Sequence, residues 1–215
     1  MAVAVTLDLL ERWIRESAVR LDAAADELTA LDSAIGDADH GTNMRRGFTA
    51  IVSKLDTAPP ASLPEFFKTV GMTLVSKVGG ASGSLYGTLF LDMGRACAEP
   101  TELTAAQWRD VLTAGVSGVV SRGHAEPGDK TMIDAFTPAL DALGRALDGG
   151  ESLVAAAAAA ADAAERGSAD TEPLIARKGR ASYLGERSAG HVDPGSASTA
   201  ILLRTFADVA AGTAA

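Results

Sequence analysis

The run Leu10-Glu-Arg-Trp-Ile-Arg-Glu-Ser-Ala-Val-Arg-Leu-Asp-Ala-Ala-Ala-Asp-Glu-Leu28 places Leu10, Ile14, Ala18, Leu21, Ala25 and Leu28 at spacings of three and four. Arg12, Arg15, Glu16 and Asp22 fall between them, so one face is apolar and the other charged, the signature of an amphipathic helix. The same period recurs along the chain. It predicts helices near 4–29, 41–55, 63–77, 82–98, 104–121, 131–147, 151–166 and 196–212. No segment shows convincing period-two alternation. Ser62-Leu63-Pro64-Glu65 and Thr104-Ala105-Ala106-Gln107 read as capping boxes, and Gly149-Gly150 and Gly167 as helix stops. The alanine run 155–161 reads as a helix whose small side chains let its neighbours approach closely. Short connections favour antiparallel neighbours, hence an all-α up-and-down bundle in a single domain over 1–215.

Composition agrees. Aromatics make up only 5% of the 215 residues, and alanine and leucine are abundant, which favours packed helices over strands. The net charge of −9 argues against nucleic acid and against anionic membrane surfaces as partners. The N-terminus lacks a basic start, and no apolar run is long enough for a membrane span. Cys97, the single cysteine, cannot form an internal disulfide and reads as a buried thiol, so a cytoplasmic location is expected.

Chemistry concentrates at four places. The first is Asp32-Ser-Ala-Ile-Gly-Asp37-Ala-Asp39-His40, followed by Gly41-Thr42-Asn43 at the start of a helix. Carboxylates this close repel one another, and an all-oxygen cluster selects a hard cation such as Mg²⁺ or Ca²⁺. The competing reading is an acidic turn that merely caps helices. The second is Gly79-Gly-Ala-Ser-Gly83 with Ser84, whose glycines would let main-chain N–H groups at a helix start meet an anion. It lacks the lysine and flanking strand of other phosphate loops, and taken alone a plain tight turn is the more common explanation.

The third is Arg122-Gly-His-Ala-Glu-Pro-Gly-Asp-Lys-Thr-Met132. Pro127-Gly128-Asp129 forms a turn, Asp129 or Thr131 would cap the next helix, and Met132 would suit either the core or a flat heterocycle. His124 beside Glu126 finds no further zinc ligand nearby and reads as surface. The fourth is the stretch 167–195, long and without a helical pattern. Arg177, Lys178, Arg180 and Arg187 at its centre face one acid, Glu186, as in an anion-binding lid or else a solvated flexible loop. A metal cage, two glycine-rich helix starts and a cationic flap are the parts needed for metal-dependent binding of a nucleotide or polyphosphate.

These strings together resemble the nucleotide-binding L subunit of dihydroxyacetone kinase. The match covers Ile35–Asn43, Gly79–Gly83 with Leu85-Tyr86-Gly87, Ala125–Met132, Ala176–Ser188, and His191 with Asp193-Pro194-Gly195, in family order. The resemblance implies an eight-helix antiparallel barrel whose loops at one end hold ADP or ATP through two Mg²⁺ ions. It implies Asp32, Asp37 and Asp39 as metal ligands, with His40, Gly41, Thr42, Asn43, Ala81 and Ser82 beside the phosphates. Gly123 and Met132 would border the adenine, while Arg180, Asp193, Pro194 and Gly195 close over the nucleotide. Ala81 stands where the family often has serine, and Ser84 where it often has proline.

The resemblance further implies phosphotransferase activity shared with a separate K subunit that holds dihydroxyacetone. ADP would stay bound as a cofactor recharged by a phosphohistidine protein of the phosphotransferase system. Alternatively, ATP would exchange as substrate for dihydroxyacetone or another small keto-sugar. A non-catalytic, nucleotide-loaded partner of a regulator is the reading from a different class.

Overall fold

The computed structural model describes residues 4–212. Nine α-helices run as α1 (Leu7–Ala23), α2 (Ala25–Ile35), α3 (His40–Thr57), α4 (Leu63–Lys77), α5 (Gly80–Ala96), α6 (Ala105–Gly123), α7 (Ile133–Asp148), α8 (Leu153–Ala169) and α9 (Pro194–Ala211). A 3₁₀ segment, η1 (Arg180–Ser188), lies between α8 and α9, and β1 (Val5–Thr6) pairs antiparallel with β2 (Glu102–Leu103).

Each helix packs on its sequence neighbour, and α1 packs on both α3 and α9, so the ring closes. With α1 and α2 counted as one interrupted helix, this is the expected eight-helix antiparallel barrel. The topology decides where the site lies. In an up-and-down ring, alternate connections fall at the same end, so the α2–α3, α4–α5, α6–α7 and α8–α9 connections converge. All four chemical strings are in those connections.

The opposite end is held by aromatic packing. Trp108 stacks on Phe206 with ring centroids 4.3 Å apart, and Trp13 meets both edge-on. Trp13 Nε1 donates to the Leu202 carbonyl at 2.8 Å, which gives its buried polar atom a partner. On α8, Ala156, Ala157, Ala160, Ala161 and Ala164 are buried, as their small size requires between α7 and α9.

Several boundaries differ from expectation. The first helix does not start at residue 4, because Val5 and Thr6 pair with Glu102 and Leu103, and Thr6 then caps α1 by accepting the Leu9 N–H. Nor does it end at 29. It breaks at Ala24 and resumes as α2 to Ile35, a shift that periodicity across 10–28 conceals. The Thr104 capping box is complete, but at Ser62 the Glu65 carboxylate reaches back to the Ala61 N–H instead. Gly149 ends α7 as expected.

Gly167 is not a stop; α8 continues to Ala169. Pro138 inside α7 removes the N–H that would have paired with the Asp134 carbonyl, and Gly167 packs against that carbonyl. A Cβ at 167 would lie 2.2 Å from it, closer than any real contact. Gly167→Ala should therefore destabilise the fold by about 1–3 kcal/mol in urea unfolding. Gly144→Ala, on the same helix pair but with open space around its Cβ, should gain about 0.5–1 kcal/mol.

Candidate functional site

The convergent loops enclose a cavity of about 590 Å³. Its walls include Asp32, Asp37, Asp39 and His40 from the α2–α3 turn, and Ala81 and Ser82 from the start of α5. Gly123 and Met132 come from the α6–α7 connection, and Arg180, Asp193, Pro194 and Gly195 from the lid. Twelve of the fifteen residues singled out from the sequence thus share one space. Gly41, Thr42 and Asn43 do not line it. Gly41 serves packing, since a Cβ there would meet the Ala25 carbonyl oxygen at 1.9 Å. The Asn43 amide oxygen accepts a 2.6 Å hydrogen bond from Arg46 Nη2, and Thr42 faces solvent.

One oxygen from each of Asp32, Asp37 and Asp39 lies within 4.8 Å of the other two. At an effective dielectric of 20, ionised pairs at that distance repel by about 3 kcal/mol each. The fold nevertheless builds the cluster deliberately. Asp32 is buried, and its Oδ2 accepts the main-chain N–H of Asp39 at 2.8 Å and of His40 at 3.0 Å, so it caps α3 from a neighbouring helix. Gly36 makes room, for any Cβ there would strike Asp32 Oδ1 at 2.0 Å. Ala38 takes a left-handed φ of 61°, an unusual conformation for a residue with a Cβ, and this turns the Asp37 and Asp39 side chains toward Asp32.

The capping alternative accounts for Asp32 alone. Asp39 occupies the N-cap of α3 but makes no side-chain cap bond, and Asp37 is paired with Arg180 Nε at 2.8 Å. Three hard oxygen donors with two exposed members fit Mg²⁺, which keeps open positions for water and phosphate oxygens.

His40 is buried, with Nδ1 3.0 Å from Ser82 Oγ and Nε2 2.9 Å from Ser198 Oγ. Burial lowers its pKa, against the opposing pull of Asp32 and Asp39. Tyr86 OH lies behind it, 2.7 Å from Ser198 Oγ and 2.8 Å from Thr199 Oγ1. Neither serine, threonine nor tyrosine was singled out from the sequence as a site residue at these three positions. Hydroxyls on a helix carry no spacing signal, and only the fold brings them to His40.

Lys130 is a fourth residue that sequence reasoning missed. It is buried, with a left-handed φ of 62°, and its ammonium donates to the carbonyls of Thr171 (2.6 Å), Glu172 (3.2 Å) and His191. Burial lowers its pKa against the influence of Asp193, Glu172 and Asp134. One side chain from the α6–α7 connection thus ties together both feet of the lid. Gly190 N–H donates to the Glu172 carbonyl at 2.8 Å and closes the same neck. The lid is therefore a loop tied at its neck and carrying its own 3₁₀ segment, not the solvated flexible loop of the alternative reading. At its tip Arg180 is the only cation that contacts the acidic cluster among the described residues. Thr131 Oγ1 accepts from the Ile133 N–H at 3.2 Å, while Asp129 closes its own turn by accepting the Glu126 N–H. His124 is exposed, as expected.

The architecture and the site define a helical-barrel protein with an acidic cavity under a cationic lid at one end. The DAK2 domain profile matches residues 34–208, and the chain belongs to that family. Among its relatives, the PEP-dependent dihydroxyacetone kinase 1 ADP-binding subunit DhaL of Listeria innocua is 46% identical over 132 residues, 61% of this chain and 66% of the relative. The corresponding Escherichia coli DhaL is 43% identical over 131 residues, 61% of this chain and 62% of the relative. The aligned stretch spans less than two-thirds of either relative. The dihydroxyacetone kinase of C. freundii in complex with AMP-PNP and Mg²⁺ superposes with a TM-score of 0.72 at 26% identity, covering 94% of this chain and 34% of that one. No described helix is long and apolar enough to cross a membrane.

Asp193 gives the site a pH signature. Its carboxylate caps α9 by accepting the Ser196 N–H at 2.6 Å. Burial, with Asp134 and Asp32 adding, pushes its pKa up to about 7 against the Ser196 bond and Lys130. The folded protein then keeps a proton that the unfolded chain releases above about pH 4. The stability from this group is full below that value and is lost as pH rises through about 7. Urea unfolding at about pH 5 and about pH 8 should show wild type losing stability relative to Asp193→Asn, which keeps a capping oxygen without the charge.

Proposed function

We propose that the chain is the nucleotide-binding component of a dihydroxyacetone kinase, holding ADP or ATP through Mg²⁺ at the acidic cluster. The observation that carries this reading is the cluster itself: three aspartate oxygens within 4.8 Å of one another, facing a cavity with a helix N-terminus on one side and Arg180 on the other. Family membership and the names of the Listeria innocua and Escherichia coli relatives support it.

In this reading Asp32, Asp37 and Asp39 would hold the metal, as two Mg²⁺ ions. Bound Mg²⁺ supplies charge neutralisation for the transferred phosphoryl group. The protein supplies position. Ser82 and the main-chain N–H of Ala81 and Ser82 at the start of α5 meet phosphate oxygens. Loss of a hydroxyl at Ala81 leaves its N–H in place. His40 sets the phosphate wall from behind, while Gly41 and Asn43 act only by packing the first turn of α3 that carries it. Gly123 and Met132 provide the flat apolar surface for the base. Arg180, Asp193, Pro194 and Gly195 close the lid and exclude water, with Arg180 leaving Asp37 for a phosphate oxygen. No residue of this chain needs to form a covalent intermediate, since positioning and charge carry phosphoryl transfer.

In this reading the acceptor sits on a separate K subunit, as the naming of the relatives as ADP-binding subunits suggests, and the single domain acts in the cytoplasm. ADP serves as a cofactor, recharged by a phosphohistidine protein of the phosphotransferase system. The lid neck favours this mode over free exchange of ATP, because Lys130 pins both feet and retards release. Names of relatives as PEP-dependent and PTS-dependent kinases agree.

Two results check the reading. With a K subunit and dihydroxyacetone, Asp37→Asn should cut phosphoryl transfer more than about tenfold while its unfolding transition stays near wild type. Unchanged turnover would eliminate the metal assignment. Gentle purification followed by denaturation should release ADP that survived desalting. Empty protein that turns over added ATP would select the exchange mode instead.

A further inference from the structure

Thr199, Tyr86 and Ser198 form a buried file of hydroxyls behind His40. Their relative exposures are 0%, 1% and 0%. The distances along the file are 2.8 Å from Thr199 Oγ1 to Tyr86 OH, 2.7 Å to Ser198 Oγ, 2.9 Å to His40 Nε2, and 3.0 Å from His40 Nδ1 to Ser82 Oγ on the cavity wall. Each hydroxyl has one proton, and a neutral imidazole has one. The direction in which those protons point therefore can be settled by accounting from the two ends.

At the buried end, Tyr86 is the one hydrogen-bond partner of the Thr199 hydroxyl. A buried proton without an acceptor is costly, so Thr199 donates to Tyr86. Tyr86 then spends its own proton forward. Ser198 Oγ at 2.7 Å is closer than the Gly195 carbonyl at 3.1 Å. Ser198 faces the same choice, with His40 Nε2 at 2.9 Å against the Gly195 carbonyl at 3.1 Å. If it donates to Nε2, the ring proton resides on Nδ1 and goes to Ser82 Oγ. At the cavity end this frees the Ser82 proton. The reverse polarity would turn Ser82 lone pairs toward an anion.

We infer that Thr199, Tyr86 and Ser198 are positioning residues that fix His40 as its Nδ1–H tautomer, so that the Ser82 hydroxyl donates outward to a phosphate oxygen. Five donors then point the same way, and each polarises the next in a buried, low-dielectric region. The relay acts on the phosphate site proposed above and so rests on that reading for its ligand. Its internal polarity does not depend on a ligand.

The test has two arms. Nitrogen-15 spectra of the imidazole in the nucleotide-free protein should show His40 Nδ1 protonated and Nε2 as an acceptor, and Ser198→Ala should erase that preference. A protonated Nε2 in wild type overturns the proposal, whatever the protein binds. In calorimetric titration with ADP and Mg²⁺, Tyr86→Phe, Thr199→Val and Ser198→Ala should each weaken binding about three- to tenfold. The double variant Tyr86→Phe/Ser198→Ala should be no weaker than Ser198→Ala alone, because the nearer break already isolates Tyr86. Additive losses, or unchanged ADP affinity in a folded Tyr86→Phe or Thr199→Val protein, contradict the relay. Failure of wild type to take up ADP would remove the nucleotide reading and leave the tautomer result standing.

Discussion

Asp32 holds its carboxylate against the first two N–H groups at the start of α3, and the geometry of the cavity follows from that bond pair. Once Asp32 caps a helix it does not contain, the turn 36–39 must be tight. Gly36 has to yield space to Oδ1, and Ala38 has to accept a left-handed φ. The outcome is three carboxylates in mutual repulsion. A helix N-terminus offsets part of that cost for Asp32, and Arg180 reaches Asp37 from the lid. The exposed ion pair itself contributes under about 1 kcal/mol. In the proposed function, what remains uncompensated is what drives the uptake of a divalent cation.

The barrel exists to bring four connections to one end. Helices packed on small residues, with Gly41 on the Ala25 carbonyl and Gly167 on the Asp134 carbonyl, let the ring close tightly around a core whose Trp13, Trp108 and Phe206 cluster lies at the other end. The cavity end gathers the buried polar groups beside an apolar wall that includes Met132. Lys130 and Asp193 sit in this zone as a buried cation and a buried acid, each shifted toward neutrality by burial, and both hold the lid. The proposed phosphate site and the lid anchoring thus share the same few residues, so substitutions meant to probe one will disturb the other.

Much of this was legible from the sequence. Helical period gave seven of the helices to within a few residues, because their apolar faces are continuous and their caps local. The aspartate cluster and the excess of cations at 177–187 pointed to the site because like charges crowd only for a reason. Other features depended on contacts between elements. The break at Ala24 leaves the apolar spacing intact, so no pattern marks it. Gly167 resembles a terminator until Pro138 of the preceding helix is seen to leave a carbonyl facing it. Gly41, Thr42 and Asn43 follow the cluster in sequence, yet α3 turns them away from the cavity. Lys130 sits in a motif that reads as a turn, and only the closed lid shows its three carbonyl partners.

The central claim is that the acidic cluster and the nucleotide phosphates bind one another through a divalent cation. Calorimetric titration of ADP into the wild-type protein, once with magnesium and once with EDTA, measures that linkage directly. The account predicts saturable uptake with magnesium and affinity at least about tenfold weaker without it. Equal affinity in both buffers, or no uptake by folded protein in either, would contradict it.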